Sequence, residues 1–216
     1  MKKVLLIGDS VRMGYDKYVK DALSGVAEVC YPKENCKMAV YVLRFLQEWM
    51  EFEKWDNDFD IVHWNAGLWD VLELYGDEPL TPINVYADYV KRIDKRIRLL
   101  FPKAKVVFTT STPVIEEKCL DWFSRKNATI KAYNDAAINA LKEIGSDTII
   151  NDLYSLCEKF PNDYHSDAVH FYTPKATDKI GRQVLSVITK ALNISAKDVN
   201  IENFEGENYS KENIGG

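Results

Sequence analysis

The chain has 216 residues, enough for one domain with a full hydrophobic core, or for one domain with a tail. Hydrophobic residues at 46% and charged residues at 28% are the proportions of a globular protein, not of a disordered or fibrous one. A formal charge of -5 with no basic block excludes the electrostatic footprint that nucleic-acid binding needs.

The first apolar run, Val4 to Ile7, is too short for the core of a signal peptide and runs directly into Gly8-Asp9. It reads as a buried strand. A helix is predicted from Arg12 to Leu23, a strand from Val26 to Cys30, and a helix from Met38 to Glu53, where Val42, Phe45, Leu46 and Trp49 recur at helical spacing. Asp60 to Trp64 reads as a third strand. Thr81-Pro82 opens a helix to Phe101, with Pro82 suited to its first turn. Ala104 to Thr109 follows as a strand, Ala128 to Ile144 as a helix, and Thr148 to Ile150 as a fifth strand. Thr173-Pro174 opens a last helix to Leu192.

This alternation predicts an α/β fold: a three-layer α/β/α sandwich around a parallel sheet of about five strands, in the flavodoxin-like order 2-1-3-4-5. The expected organisation is one domain over residues 1–193 and a polar tail over 194–216. No apolar run approaches the ~18 to 20 residues of a membrane span, so the expected location is the cytoplasm. Cys30, Cys36, Cys119 and Cys157 form no close pair and read as free thiols. There is no cluster of metal-ligand residues, no phosphate-binding loop and no Gly-x-Ser-x-Gly elbow, so no cofactor or metal is expected.

Ligands of such a sheet gather outside the carboxyl ends of its strands. Ser10 stands there, directly after the first strand. Taken alone, it reads first as a helix cap. A serine hydroxyl becomes a nucleophile only when a base removes its proton. Three histidines are available. His63 lies within a predicted strand and reads as a core residue. His170 follows Asp167 by three residues, so in a turn the carboxylate reaches one ring nitrogen and leaves the other for Ser10. His165 lacks that spacing.

With these residues the chain resembles the SGNH (GDSL) hydrolase superfamily over about residues 3 to 190. Ile7-Gly8-Asp9-Ser10 resembles the family's first block and Asp167-Ala-Val-His170 its Asp-x-x-His; the stretch from Asp60 to Asp70, with Gly67, resembles its third. The resemblance implies a serine hydrolase that cleaves carboxylic esters through an acyl-enzyme. Ser10, Asp167 and His170 would be catalytic, and a small-molecule ester the substrate, with acetyl on a carbohydrate favoured. It also implies an oxyanion hole made of the Ser10 amide, a second-block glycine amide and a third-block asparagine. The second block here, Glu34-Asn35-Cys36-Lys37, has no glycine, so an amide of Cys36 or Lys37 is expected to donate. Trp69 takes the asparagine position, leaving Asn65 and Asn35 as candidates. Asp9, Gly67 and Trp69 are expected around the substrate pocket. The altered blocks also leave open a second reading, a weak or inactive ligand-binding module of the same fold.

Overall fold

The computed structural model describes residues 1–201. Five strands, β1 (Lys2–Ile7), β2 (Ala27–Cys30), β3 (Ile61–Trp64), β5 (Lys105–Thr109) and β7 (Ile149–Asn151), form one sheet in the order β2-β1-β3-β5-β7. Every pairing is parallel. Counting only these five, the order is the expected 2-1-3-4-5. Val4 to Ile7 and Ile61 to Trp64 are almost wholly buried. Strands covered on both faces are nearly continuous apolar runs, which is why these do not alternate with polar residues and His63 is the one polar side chain in them.

The helices are α1 (Ser10–Met13), α2 (Asp16–Ala22), α3 (Ala39–Phe52), α4 (Ile83–Leu100), α5 (Asn127–Glu143), α6 (Leu153–Cys157) and α7 (Pro174–Leu192). Helix α4 packs between α3 and α5, while α7 packs on α2 and α6, giving the two outer layers. At the α2–α7 contact Gly181 lies so close to Tyr18 that an added Cβ would stand 2.3 Å from its ring.

Three local features depart from the sequence-based expectation. The first helix is interrupted after Met13. The Gly14 carbonyl accepts a hydrogen bond from the Thr177 hydroxyl (3.3 Å), and the ring of Tyr172 packs where a Cβ on Gly14 would lie. Pro82 sits just before α4, in the cap position, not in its first turn. An antiparallel ribbon of β4 (Glu73–Leu74) and β6 (Phe123–Ser124) was not anticipated, because two-residue strands leave no periodicity to read.

Residues 194–201 lie against the domain. The Lys197 amide donates to the Ala22 carbonyl (2.9 Å), and Val199 is buried. The remainder of the expected tail, residues 202–216, lies outside the described residues. Among the described residues the four cysteines are free, and no helix is long and apolar enough to cross a membrane.

His63 is a core histidine, as expected. Its Nε2 lies 2.8 Å from the Thr109 hydroxyl and 3.1 Å from the Asn151 amide nitrogen. Burial pushes its pKa down to about 3, so it is neutral in the fold. An unfolded chain binds a proton there once the pH drops below the ordinary value of 6.5. Stability is therefore lost as pH falls from there towards 3, by about 1.4 kcal/mol per pH unit. Urea unfolding at pH 7 and pH 5 should show a steeper loss in the wild type than in His63→Gln; equal losses would contradict the assignment.

Candidate active site

Strand β1 ends at Ile7, and the chain turns through Gly8 and Asp9 into α1. The Asp9 carboxylate, not the Ser10 hydroxyl, caps this helix: its Oδ1 accepts the Val11 N–H at 3.0 Å. Ser10 is thereby the first helical residue, with its hydroxyl available to another partner. Residue 8 must be a glycine, since a Cβ would stand 1.9 Å from Asn65 Oδ1 and 2.8 Å from the Arg12 Cβ. Arg12 ties this turn to the second loop by donating to the Glu34 carbonyl (2.6 Å), and it pairs with the equally buried Asp16.

The partner of Ser10 comes from the far end of the chain. His170 Nε2 lies 2.8 Å from Ser10 Oγ, across a separation of 160 positions. His170 Nδ1 lies 2.7 Å from Asp167 Oδ2, while Asp167 Oδ1 accepts the N–H groups of Val169 (2.7 Å) and His170 (2.8 Å). The spacing of three thus forms a turn in which one carboxylate orients both the backbone and the ring of His170. Partial burial works to raise the Asp167 pKa, but these hydrogen bonds and the His170 charge outweigh it and hold the group at about 2. The Tyr172 ring stacks on the imidazole (4.9 Å between centroids), and its hydroxyl donates to the Ser10 carbonyl at 2.6 Å. His165 packs against Phe171 at a tilt of 40° (4.0 Å between centroids) and stands outside this hydrogen-bonded series.

Ser10 and His170 open onto a cavity of about 100 Å³, lined also by Leu68, Trp69, Phe123, Arg125 and Val169. Drug-sized ligands occupy several times that volume, so this space admits only a small group. Trp69 meets Phe123 edge-on (6.5 Å between centroids). Arg125 is 4% exposed, donates from Nε to the Leu68 carbonyl at 2.6 Å, and carries its guanidinium carbon 5.0 Å from the centre of the Phe123 ring. Phe123 and Arg125 escaped the sequence reading because the β4–β6 ribbon that delivers them has no pattern of its own.

The remaining expected residues fall elsewhere. Asp9 and Gly67 are not on the cavity wall: Asp9 is a buried cap whose pKa burial raises, with the Asn65 amide and the Val11 N–H only partly offsetting it. Gly67 takes φ 146°, and a Cβ there would meet the Ser111 hydroxyl at 2.3 Å. The Cys36 amide, expected to face an oxyanion, donates to the Gly8 carbonyl (3.1 Å), and the Lys37 amide donates to Asn35 Oδ1 (2.9 Å). Both amides are engaged, one with the first loop and one within its own. Lys37 itself has φ 50°, the left-handed region that favours glycine, in the block where the family resemblance called for one. Asn65 is buried, its Oδ1 packed against Gly8, and it does not line the cavity. Asp70 is buried as well; its Oδ2 accepts the Ala39 N–H at the start of α3 (3.0 Å), and burial pushes its pKa up to about 7.

The contact at Gly8 generates a direct test. Gly8→Ala should destabilise the protein by about 1–3 kcal/mol, as overpacking of a closed site does. A urea midpoint unchanged from wild type would mean that the Asn65 side chain moves aside without cost.

No family model matches the chain. In sequence it is similar to the GDSL esterase/lipase CPRD49 of Arabidopsis thaliana, 26% identical over 124 residues, a stretch covering 52% of this chain and 47% of that protein. The chain thus spans about half the length of this curated relative. Among solved structures it superposes on a lipase/acylhydrolase from Enterococcus faecalis with a TM-score of 0.68 at 16% identity, covering 92% of this chain and 100% of that one. An acetyl xylan esterase, AlAXEase, gives 0.67 at 15% identity over 86% and 99% of the two chains. A carbohydrate esterase family 3 protein from Talaromyces cellulolyticus gives 0.64 at 20% identity over 90% and 100%. Taken together, these likenesses show a chain that shares the fold of solved lipase/acylhydrolase and esterase structures and is similar in sequence, over about half its length, to a GDSL esterase/lipase.

Proposed function

We propose that the protein is a serine hydrolase that cleaves carboxylic esters of short acyl groups. One observation carries this reading: the hydrogen-bonded series Asp167–His170–Ser10 ends at the wall of a small cavity. His170 Nδ1–H donates to Asp167, a tautomer inferred from these partners, and leaves Nε2 to take the Ser10 proton.

As that proton moves to Nε2, Ser10 Oγ bonds to the ester carbonyl carbon, and the carbonyl π pair moves onto oxygen. The tetrahedral intermediate collapses, the C–O bond to the alcohol breaks, and the Nε2 proton leaves with the alcohol. Water then attacks the acyl-enzyme, giving its proton to Nε2 in the same way. Collapse releases the acid and returns the proton to Ser10 Oγ. The Ser10 amide, in the first turn of α1, is suited to hold the oxyanion.

The cavity volume favours an acetyl-sized acyl group. Acetyl on a carbohydrate is the preferred substrate class, supported by the names of two structural neighbours, an acetyl xylan esterase and a carbohydrate esterase. The competing reading, a binding module without turnover, draws on the engaged amides of Cys36 and Lys37.

Treatment with a fluorophosphonate followed by mass spectrometry should find Ser10 modified in the wild type and unmodified in His170→Ala. No label, together with no ester turnover, would instead favour the binding module. With p-nitrophenyl esters, kcat/KM should fall at least tenfold from acetate to octanoate; a rise would rule out the short-acyl reading.

A further inference from the structure

The site has a buried cation that neither the sequence blocks nor the proposed mechanism uses. Arg125 is 4% exposed and lines the same cavity as Ser10 and His170. Two contacts fix its orientation: its Nε donates to the Leu68 carbonyl at 2.6 Å, and its guanidinium carbon lies 5.0 Å from the centre of the Phe123 ring. A guanidinium presents five N–H donors in a rigid fork, so anchoring Nε sets the direction of the other four. Burial of such a group is tolerated where it is hydrogen-bonded and its charge is met, and this guanidinium also acts on the buried Asp9 carboxyl, favouring its ionised form.

The same cavity lacks a second-block donor and a side-chain amide. The Cys36 amide donates to the Gly8 carbonyl and the Lys37 amide to Asn35, Trp69 stands in the asparagine position, and Asn65 is packed against Gly8 and is not among the lining residues. We infer that Arg125 stabilises the oxyanion, doing with a guanidinium what an asparagine side chain would otherwise do. When Ser10 Oγ adds to the carbonyl carbon and the π pair moves onto oxygen, the new negative charge forms in a cavity whose one buried cationic side chain, among its lining residues, is Arg125. The cation gains most from the charge of the intermediate and less from the neutral ester, the differential that speeds the chemical step.

This inference rests on the ester hydrolase reading, and the experiment separates the two. Steady-state kinetics with p-nitrophenyl acetate should give Arg125→Gln a kcat about 10² to 10³ lower than wild type, with KM within about threefold. Arg125→Lys, which keeps the charge and loses the fork, should fall between the two. Added guanidinium ion should raise kcat of Arg125→Ala at least tenfold and leave the wild type unaffected. A kcat within threefold of wild type in Arg125→Gln, or a rise in KM at unchanged kcat, overturns the inference and makes Arg125 a binder of the ground state. Should the glutamine variant fail to fold, the lysine variant decides: a kcat at least tenfold lower at unchanged KM supports the inference, and an unchanged kcat defeats it. Absence of both turnover and Ser10 labelling in the wild type defeats the hydrolase reading first, and this inference with it.

Discussion

A parallel sheet places the carboxyl ends of its strands on one edge, and everything in this site depends on that constraint. The register aligns Ile7 with Trp64 and Trp64 with Phe108, so the chain leaves β1, β3 and β5 at one level. The loops that follow supply Ser10, then Leu68 and Trp69, then Phe123 and Arg125. Helix α7 and the loop before it return to the same edge, where His170 meets Ser10 at 2.8 Å. A hydrogen bond across 160 positions is possible because all five strands run the same way, so that the segments leaving the first and last of them open on the same edge.

Around that meeting point lies a framework of buried polar groups, and each has a partner that makes burial tolerable. Asp9 caps α1, Arg12 pairs with Asp16 and reaches the Glu34 carbonyl, and Asp70 holds the first N–H of α3. Glu34 in turn accepts from Trp49 (2.6 Å) and Tyr41 (2.7 Å), which pins the second loop to α3. These links set the loops relative to one another with little freedom. Burial meanwhile pushes the Cys36 thiol up to about 12, so this cysteine beside the Gly8 turn stays protonated.

The same framework ties up backbone donors near the site. An amide serves an oxyanion only if the loop leaves it unspent, and this second loop uses its Cys36 and Lys37 amides to close on Gly8 and Asn35. Trp69 gives the cavity an aromatic wall. Arg125 enters from the ribbon beside it, which makes the ribbon more than a surface ornament of the sheet.

The order of elements, the parallel sheet and the 2-1-3-4-5 arrangement were all legible in the sequence. Buried strands and amphipathic helices carry their periods locally, and crossover handedness leaves few ways to arrange them. Ser10 and the pair Asp167–His170 were legible for a related reason: strand-end position and a spacing of three are local facts. The cavity was not. Which amides are spent, where Asn65 packs and how Arg125 comes to line the same cavity as Ser10 depend on loops from four parts of the chain meeting in space. A loop hydrogen bond is won by whichever acceptor the fold brings nearest, and no local pattern of residues records that competition. Local spacing was thus enough to single out Ser10, Asp167 and His170 as candidates, while the surroundings of those side chains were settled only when distant loops packed together.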